Sequence, residues 1–319
     1  MIKIGENKKI VAISESNSNM VIGFQDLQLH EEDKPSFFII QGETSFGPFD
    51  NIQKRTIESN SQQNGSILKT TTYFTVTEKG KEYILYEKYK FGPFKSAQLL
   101  KANKDRIILV DYSEKGTYYE ILSIEKDKPK LITRSDRYKD EVTGIYVSDN
   151  MDILMSFDDN SGNASHYFIY KGQKTNGFYH AVHFKGWMNS ENDVLAPVFY
   201  CVAPLDHETY DVTNDLYVGN RLIGRIVAVL YDFSFNNTNT DFVVKGYTAS
   251  RDGASIYSAN SVLGPYDAVN SLEIDSLNEV RFEYEKNEQQ FLYENQISKP
   301  IPTKEDYDWK NISPNGTDY

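Results

Sequence analysis

Two histidines, His180 and His183, stand three residues apart and come nearest to a metal-ligand spacing in this chain. Zinc uses at least three protein ligands, and no third ligand is evident beside them. His180 also aligns with an aspartate in other copies of a repeat along the chain. We therefore expect His180 to have a structural role in a turn, and we predict no metal and no cofactor.

An acidic run at 157–163, FDDNSGN, is typical of a calcium-binding loop in composition only. It lacks the glycine at the sixth position, and Ile169 stands where the closing glutamate would fall. These residues instead predict a solvated hairpin tip. The single cysteine, Cys201, lies in an apolar run, which favours a small buried core residue over a nucleophile and excludes a disulfide within the chain.

The elements that position these side chains come from a repeat. Its marker, FGPFDNI at 46–52, returns as FGPFKSA at 91–97 and as LGPYDAV at 263–269. Degenerate copies of the marker begin near residues 137, 177 and 224, and a weak last copy lies near 305. The first six markers are therefore 40 to 47 residues apart, which predicts one supersecondary unit per repeat.

Each repeat contains short apolar runs separated by polar turns rich in Asn and Gly. The aromatic content of 13% and the runs of five to eight residues favour β-strands, and no segment keeps a helical period over three turns. Asn and Gly supply the positive φ angles that tight hairpins need. Four antiparallel strands per repeat are typical of a β-propeller blade.

The arrangement resembles the bacterial WD40-like and TolB-type β-propellers, whose blades alternate a Gly-Pro-Tyr-Asp turn with a Ser-Pro-Asp-Gly turn. The first turn is present in the markers, while VSDN at 147–150 is a degenerate copy of the second. The Trp-Asp signature of true WD40 blades is absent. The resemblance implies an architecture and carries no function with it.

We predict an all-β fold: a β-propeller of seven four-stranded blades in a single domain over 1–319, with six or eight blades left open. Residues 1–46 hold three strands that need a partner. A strand near 307–312, within the closing segment 300–319, is expected to complete that blade, so that both termini close the ring. The rest of this segment is predicted to be a tail.

The net charge of −12 disfavours nucleic-acid binding, because an acidic surface repels phosphate. The densest basic stretch, at 101–106, itself contains an acid. No apolar run approaches the length of a membrane span, and the N-terminus lacks the apolar core of a signal peptide, which predicts a cytoplasmic chain. An exported mature fragment given a start Met has the same sequence, so that alternative stays open, as does the oligomeric state.

The sequence lacks the aspartate-box turns of sialidase propellers and the nucleophile elbow of hydrolases that follow a propeller. We therefore predict a non-catalytic module that binds a protein or peptide. The alternatives are a carbohydrate-active hydrolase or lyase using the central channel, and a secreted or surface adhesion propeller.

The unit from 177 to 220 departs most from the repeat and is the predicted binding surface. It contains Trp187, one of two tryptophans, beside Met188, and a lengthened loop that ends at Tyr210. Loops on a rigid scaffold often carry binding residues. The predicted site is Trp187, Met188, His183 and Tyr210, while core packing of Trp187 is the competing interpretation.

Overall fold

The computed structural model describes residues 8–16, 19–26, 36–41, 43–59, 69–103, 105–125, 128–189, 195–204, 212–226, 231–247, 253–275 and 279–301. These residues form twenty-eight β-strands and no helix. The strands make seven antiparallel sheets, each of four strands that follow one another in the chain. None of the described residues forms a helix long and apolar enough to cross a membrane.

The first three sheets are β1 Lys8–Ser16, β2 Asn19–Asp26, β3 Ser36–Gln41 and β4 Thr44–Phe49; β5 Asn51–Ser59, β6 Lys69–Glu78, β7 Lys81–Tyr86 and β8 Tyr89–Phe94; and β9 Ala97–Ala102, β10 Arg106–Ser113, β11 Gly116–Glu125 and β12 Lys128–Arg134. The fourth and fifth are β13 Glu141–Val147, β14 Ile153–Asp158, β15 His166–Tyr170 and β16 Gln173–Phe178; and β17 His183–Asn189, β18 Leu195–Pro204, β19 Val212–Val218 and β20 Arg221–Ile226. The last two are β21 Tyr231–Phe235, β22 Phe242–Tyr247, β23 Ala254–Ser258 and β24 Val262–Tyr266; and β25 Ala268–Ile274, β26 Val280–Lys286, β27 Gln289–Glu294 and β28 Ile297–Pro300.

Tight turns join the second and third strands of several sheets. The turn between β6 and β7 has φ values of 52° at Lys79 and 73° at Gly80, and that between β26 and β27 has 54° at Asn287 and 64° at Glu288. Two successive positive φ values define the two-residue turn that matches strand twist. The polar pairs between apolar runs therefore act as the predicted hairpin turns.

Seven consecutive four-stranded antiparallel sheets confirm the predicted fold class, an all-β propeller with seven blades. One detail differs, because no described sheet combines strands from the two ends of the chain. The first sheet takes all four strands from residues 8–49, and the expected closing strand near 307–312 lies outside the described residues. The resemblance implies a turn at the first marker, whereas its residues 46–49 belong to β4 and its residues 51–52 begin β5. A proline is tolerated there because β4 is an edge strand and needs hydrogen bonds on one side only.

The three intact markers share one conformation. Gly47, Gly92 and Gly264 have φ values of +128°, +122° and +115°, which confirms the predicted positive φ, and each precedes its proline through a cis peptide bond. In each case the Gly-Pro pair lies opposite a single residue of the third strand, so the fourth strand carries a bulge.

An aspartate within two of the three intact markers connects one sheet to the next. The Asp50 carboxylate accepts a hydrogen bond from the Gly80 amide at 3.2 Å, and the Asp267 carboxylate accepts one from the Asn287 amide at 2.5 Å. Both donors lie in the hairpin between the second and third strands of the following sheet. The marker therefore ends one blade and caps a hairpin of the next.

The chain divides into two compact units, 1–142 and 143–319. In the first unit, one core cluster joins the first and second sheets and another joins the second and third. In the second unit, three clusters join the fourth to the fifth, the fifth to the sixth and the sixth to the seventh sheets. Within each unit the apolar core thus lies between consecutive sheets. That the two units make one domain stays a prediction.

Candidate functional site

Strand β17, which begins the fifth sheet, carries three of the four predicted site residues and has two different faces. One face packs toward the fourth sheet. There the half-buried Trp187 ring lies 5.6 Å from the Phe184 ring and 6.4 Å from the Tyr170 ring, centroid to centroid. Phe184 in turn stacks on Tyr146 at 4.5 Å. Trp187 is therefore part of the apolar contact between these two sheets.

The other face of β17 packs toward the sixth sheet. Met188 is only 4% exposed there and belongs to the core cluster with Phe242 and Val244. Adjacent residues of a strand point to opposite faces, so Trp187 and Met188 do not come together. Because Met188 is buried, a partner that binds this face would contact other residues.

Four side chains on this second face form what we call the His183 platform: His183, Lys185, Tyr200 and Phe233. The exposed imidazole of His183 stacks on the half-buried Tyr200 ring with centroids 4.6 Å apart and planes 13° from parallel. The Lys185 ammonium lies 5.3 Å from the centroid of Tyr200 and 5.7 Å from that of Phe233. The same cation thus lies within cation–π distance of two aromatic rings that come from neighbouring sheets of the second unit.

Local backbone geometry explains why these side chains meet. His183 pairs directly with Tyr200 across β17 and β18, which places both rings on one face. The pairing then passes from Phe184 to Gly186 and skips Lys185, so Lys185 is the extra residue of a β-bulge. A bulge re-aims the side chain that it inserts, and here it directs the ammonium toward Tyr200 and Phe233.

The electrostatics of the platform favour a neutral imidazole. Burial lowers the pKa of His183 below its ordinary value of 6.5, and the charges of His180 and Lys185 lower that pKa further. Burial raises the pKa of the Tyr200 phenol. At neutral pH the platform therefore presents a neutral imidazole, a neutral phenol and one ammonium group. This set accepts and donates hydrogen bonds and attracts a negative group.

The structure thus separates the predicted site residues. His183 is exposed, Trp187 is half-buried, Met188 is buried, and Tyr210 lies outside the described residues. Lys185, Tyr200 and Phe233 are not among the site residues predicted from the sequence. The alternation of His183 and Lys185 along a strand was visible in the sequence, but the pairing with β18 and the approach of β21 depend on register. Binding through any of these residues stays a prediction.

The acidic run at 157–163 covers the end of β14 and the start of its connection to β15, and His180 lies in the connection between β16 and β17. The Asp158 carboxylate accepts hydrogen bonds from the Asn160 amide at 2.8 Å and from the Ser165 hydroxyl at 2.5 Å. The run is thus the tip of the hairpin between β14 and β15, as predicted. His180 does not take the position of Asp267, because the backbone hydrogen bond that Asp267 makes to the next sheet is made here by Tyr179.

The side chain of Cys201 is 1% exposed in the core between the fourth and fifth sheets, as predicted. Burial, and then the charge of Asp215, raise the pKa of its thiol. A buried neutral thiol packs as a small apolar group. Within the described part of the chain no three His, Cys, Asp or Glu side chains are grouped to hold a metal ion.

Neither a protein-family model nor a curated protein sequence matches this chain. Among solved structures, similarity is found to a eukaryotic initiation factor, with 8% identity over 94% of this chain and 88% of that one and a TM-score of 0.34. The β-propeller domain of the trilobed protease from Pyrococcus furiosus gives 10% identity, 95% and 98% coverage and a TM-score of 0.29. Virginiamycin B lyase from Staphylococcus aureus has 11% identity over 80% of this chain and 89% of that one, with a TM-score of 0.22. Similarities this low carry no argument about function, and the fold rests on the seven sheets.

Proposed function

We propose that this protein is a binding module for a protein or peptide partner and that the unit from 177 to 220 forms part of the binding surface. The observation that supports this proposal is the His183 platform. An exposed imidazole is already stacked on Tyr200, and the lysine at a β-bulge lies over two aromatic rings. Because these contacts restrict the side chains before a partner arrives, binding would order little more.

The platform suits a partner segment that offers a flat side chain beside a carboxylate. The free face of the His183 ring would accept an aromatic or amide group, and Lys185 would pair with the acid. Within this proposal Tyr210, in the lengthened loop, is a further aromatic anchor. Trp187, on the opposite face of β17, is an anchor only through the part of its half-buried ring that stays exposed. Aromatic anchors typically cost 2 kcal/mol or more when truncated, which is about thirtyfold in affinity.

The test is affinity capture from the native host, followed by binding measurements with the captured partner. We expect His183→Ala, Lys185→Ala and Tyr210→Ala each to weaken binding about tenfold or more. Lys174→Ala is the matched control, because Lys174 also lies over a tyrosine ring, at 3.7 Å from the Tyr167 centroid, but on the fourth sheet. All four variants are first checked for unchanged melting temperatures.

Retention of the partner by all three platform and loop variants would show that it binds elsewhere. An effect of Lys174→Ala as large as that of Lys185→Ala would show that loss of any surface lysine weakens binding. Trp187→Ala is assayed separately, because Trp187 contacts Phe184 and Tyr170 and its removal also disturbs the core.

A second candidate is a carbohydrate lyase, which the exposed imidazole of His183 favours, because it and the Lys185 ammonium lie against the same Tyr200 ring. In an acidic polysaccharide, a neutral imidazole would remove the proton next to the uronate carboxylate while Lys185 neutralises the developing charge. The electron pair would then form a carbon–carbon double bond and expel the glycosidic oxygen, which takes up a proton from solvent water. Incubation with polyuronates tests this, since the unsaturated product absorbs in the ultraviolet. An unchanged spectrum with polyuronates of several linkages would exclude this lyase.

A further inference from the structure

Strand β12 is an edge of the third sheet, pairs with β11 alone among the described strands, and is exposed along its whole length. With seven residues it is the longest fourth strand among the seven sheets. Its apolar residues Leu131 and Ile132 are 45% and 49% exposed. An edge strand presents unpaired backbone groups, so this edge can hydrogen-bond to another extended chain.

The other fourth strands are less suited to pairing. A glycine lies within β4, β8, β16, β20 and β24, and in four of these strands that glycine has a positive φ. Glycine and bulges interrupt a flat edge. The remaining strand, β28, is also fully exposed but has only four residues and ends in Pro300. By contrast β12 contains no glycine. Its interruptions are Pro129, next to its first residue, and Ile132, which its pairing with β11 skips, and both Ile132 and Thr133 are β-branched.

The edge formed by β12 is positively charged on a chain of net charge −12. Its sequence, KPKLITR, contains Lys128, Lys130 and Arg134 and no acid. The acids near it, Glu125 and Glu120, lie one strand inward on β11. Lys130 reaches Glu125 at 3.2 Å, and Arg134 donates to Glu120 at 2.8 Å. These contacts use only part of the donors of each cation, and the remaining donors can meet carboxylates beyond the edge.

The basic charge extends inward from the edge along one row of the sheet. Arg106 on β10 pairs with Ser123 on β11, which pairs with Lys130 on β12. Directly paired residues share a face, so Arg106 and Lys130 belong to the same row. This places the basic stretch noted in the sequence at 101–106 on the same sheet as the edge.

We propose that β12 accepts an extended acidic segment of a partner protein as a fifth strand of the third sheet. Backbone hydrogen bonds would provide the pairing, Leu131 and Ile132 would provide apolar contact, and the lysines would select for carboxylates. The same lysines repel a second β12, because like charges directly opposite each other destabilise a strand pair. This surface is separate from the His183 platform and does not depend on the function proposed for it.

The probe is a fluorescent, end-capped peptide of eight alternating Glu and Val residues, with the matching Lys and Val peptide as its control. Binding to the full chain is followed by fluorescence anisotropy at low and at raised salt. We expect the acidic peptide to bind with a Kd below about 1 mM, at least tenfold tighter than the basic one, and more weakly as salt rises.

The double variant Lys128→Glu/Lys130→Glu should weaken binding of the acidic peptide about tenfold, since two attractions become repulsions. Lys299→Glu is the matched control, because Lys299 lies on β28, the other fully exposed fourth strand, and it should leave binding unchanged. Ile132→Pro should also weaken binding by removing an amide at the edge, at a residue that does not pair with β11.

Equal binding of the two peptides, no measurable binding of either, or an unchanged Kd in the double variant would overturn the proposal. Self-association of the chain that Ile132→Pro abolishes, seen by analytical ultracentrifugation, would overturn it in favour of a second copy as the occupant. If Ile132→Pro fails to fold, the double charge variant decides the outcome, because exposed lysines tolerate glutamate without a packing change.

Discussion

Two glycines with nearly the same φ allow the cost of the marker conformation to be divided into its causes. Gly264 has φ +115° in β24, and Gly162 has φ +122° at the tip of the hairpin between β14 and β15. A Cβ on Gly264 would lie 3.0 Å from the backbone oxygen of Ala254, whereas a Cβ on Gly162 would meet no atom within 4 Å. The substitutions Gly264→Ala and Gly162→Ala therefore start from nearly the same φ and differ in crowding and in how far the surrounding backbone can relax.

The expected magnitudes follow from these two terms. A side chain at such a φ costs on the order of 1–3 kcal/mol, and the lower end applies to Gly162 because an exposed turn relaxes. At Gly264 the obstacle is a backbone oxygen of the neighbouring strand β23, which the sheet holds in place. This overpacking adds about 1 kcal/mol or more. We expect a loss of unfolding free energy of about 1 kcal/mol for Gly162→Ala and about 2–4 kcal/mol for Gly264→Ala.

Urea unfolding at 25 °C, followed by intrinsic fluorescence, measures both variants against the parent chain. Gly47→Ala extends the series, because its Cβ would lie 2.8 Å from the backbone oxygen of Phe37 and should cost the most. Equal midpoints for Gly264→Ala and Gly162→Ala would refute the role of crowding. A midpoint for Gly264→Ala equal to that of the parent would show that the marker imposes no conformational demand at all.

Three further expectations concern single side chains. His183 should titrate below its ordinary value of 6.5 by NMR, and Lys185→Ala should raise that midpoint. Because the folded pKa is lowered, the stability that this imidazole contributes is fully present above pH 6.5 and is lost as the pH falls from 6.5 through the folded pKa. Cys201 should not react with Ellman's reagent in the folded chain and should react once the chain is unfolded in urea, since it is 1% exposed. Trp187→Ala should lower the unfolding free energy by about 2 kcal/mol, below the cost for a fully buried ring, and an unchanged midpoint would place Trp187 outside the core contact.

The repeat made the architecture predictable because each marker needs a glycine at positive φ, and that need is visible in the sequence at Gly47, Gly92 and Gly264. Register was not predictable in the same way. In the degenerate marker at 177 the bulge contains one residue instead of the Gly-Pro pair. Phe178 pairs with His166 and Asn176 pairs with Tyr167, so Gly177 between them is the extra residue. A gap-free alignment therefore displaced His180 by one position, and one position moves a side chain to the opposite face of a strand.

The candidate site was harder to predict because it also depends on register: Lys185 is the extra residue of a bulge, and no residue type in the sequence indicates that bulge. The first strands β1, β9, β17 and β21 each skip one residue in pairing, and the skipped residues are Val11, Leu100, Lys185 and Asp232. Only at β17 is the inserted residue basic, and only there does it follow a histidine two positions earlier. The same kind of β-bulge thus recurs in the first strands of several sheets. In the fifth sheet it places a lysine over two aromatic rings. This difference between equivalent positions separates the fifth sheet from its neighbours more clearly than Trp187, which packs as the fold requires.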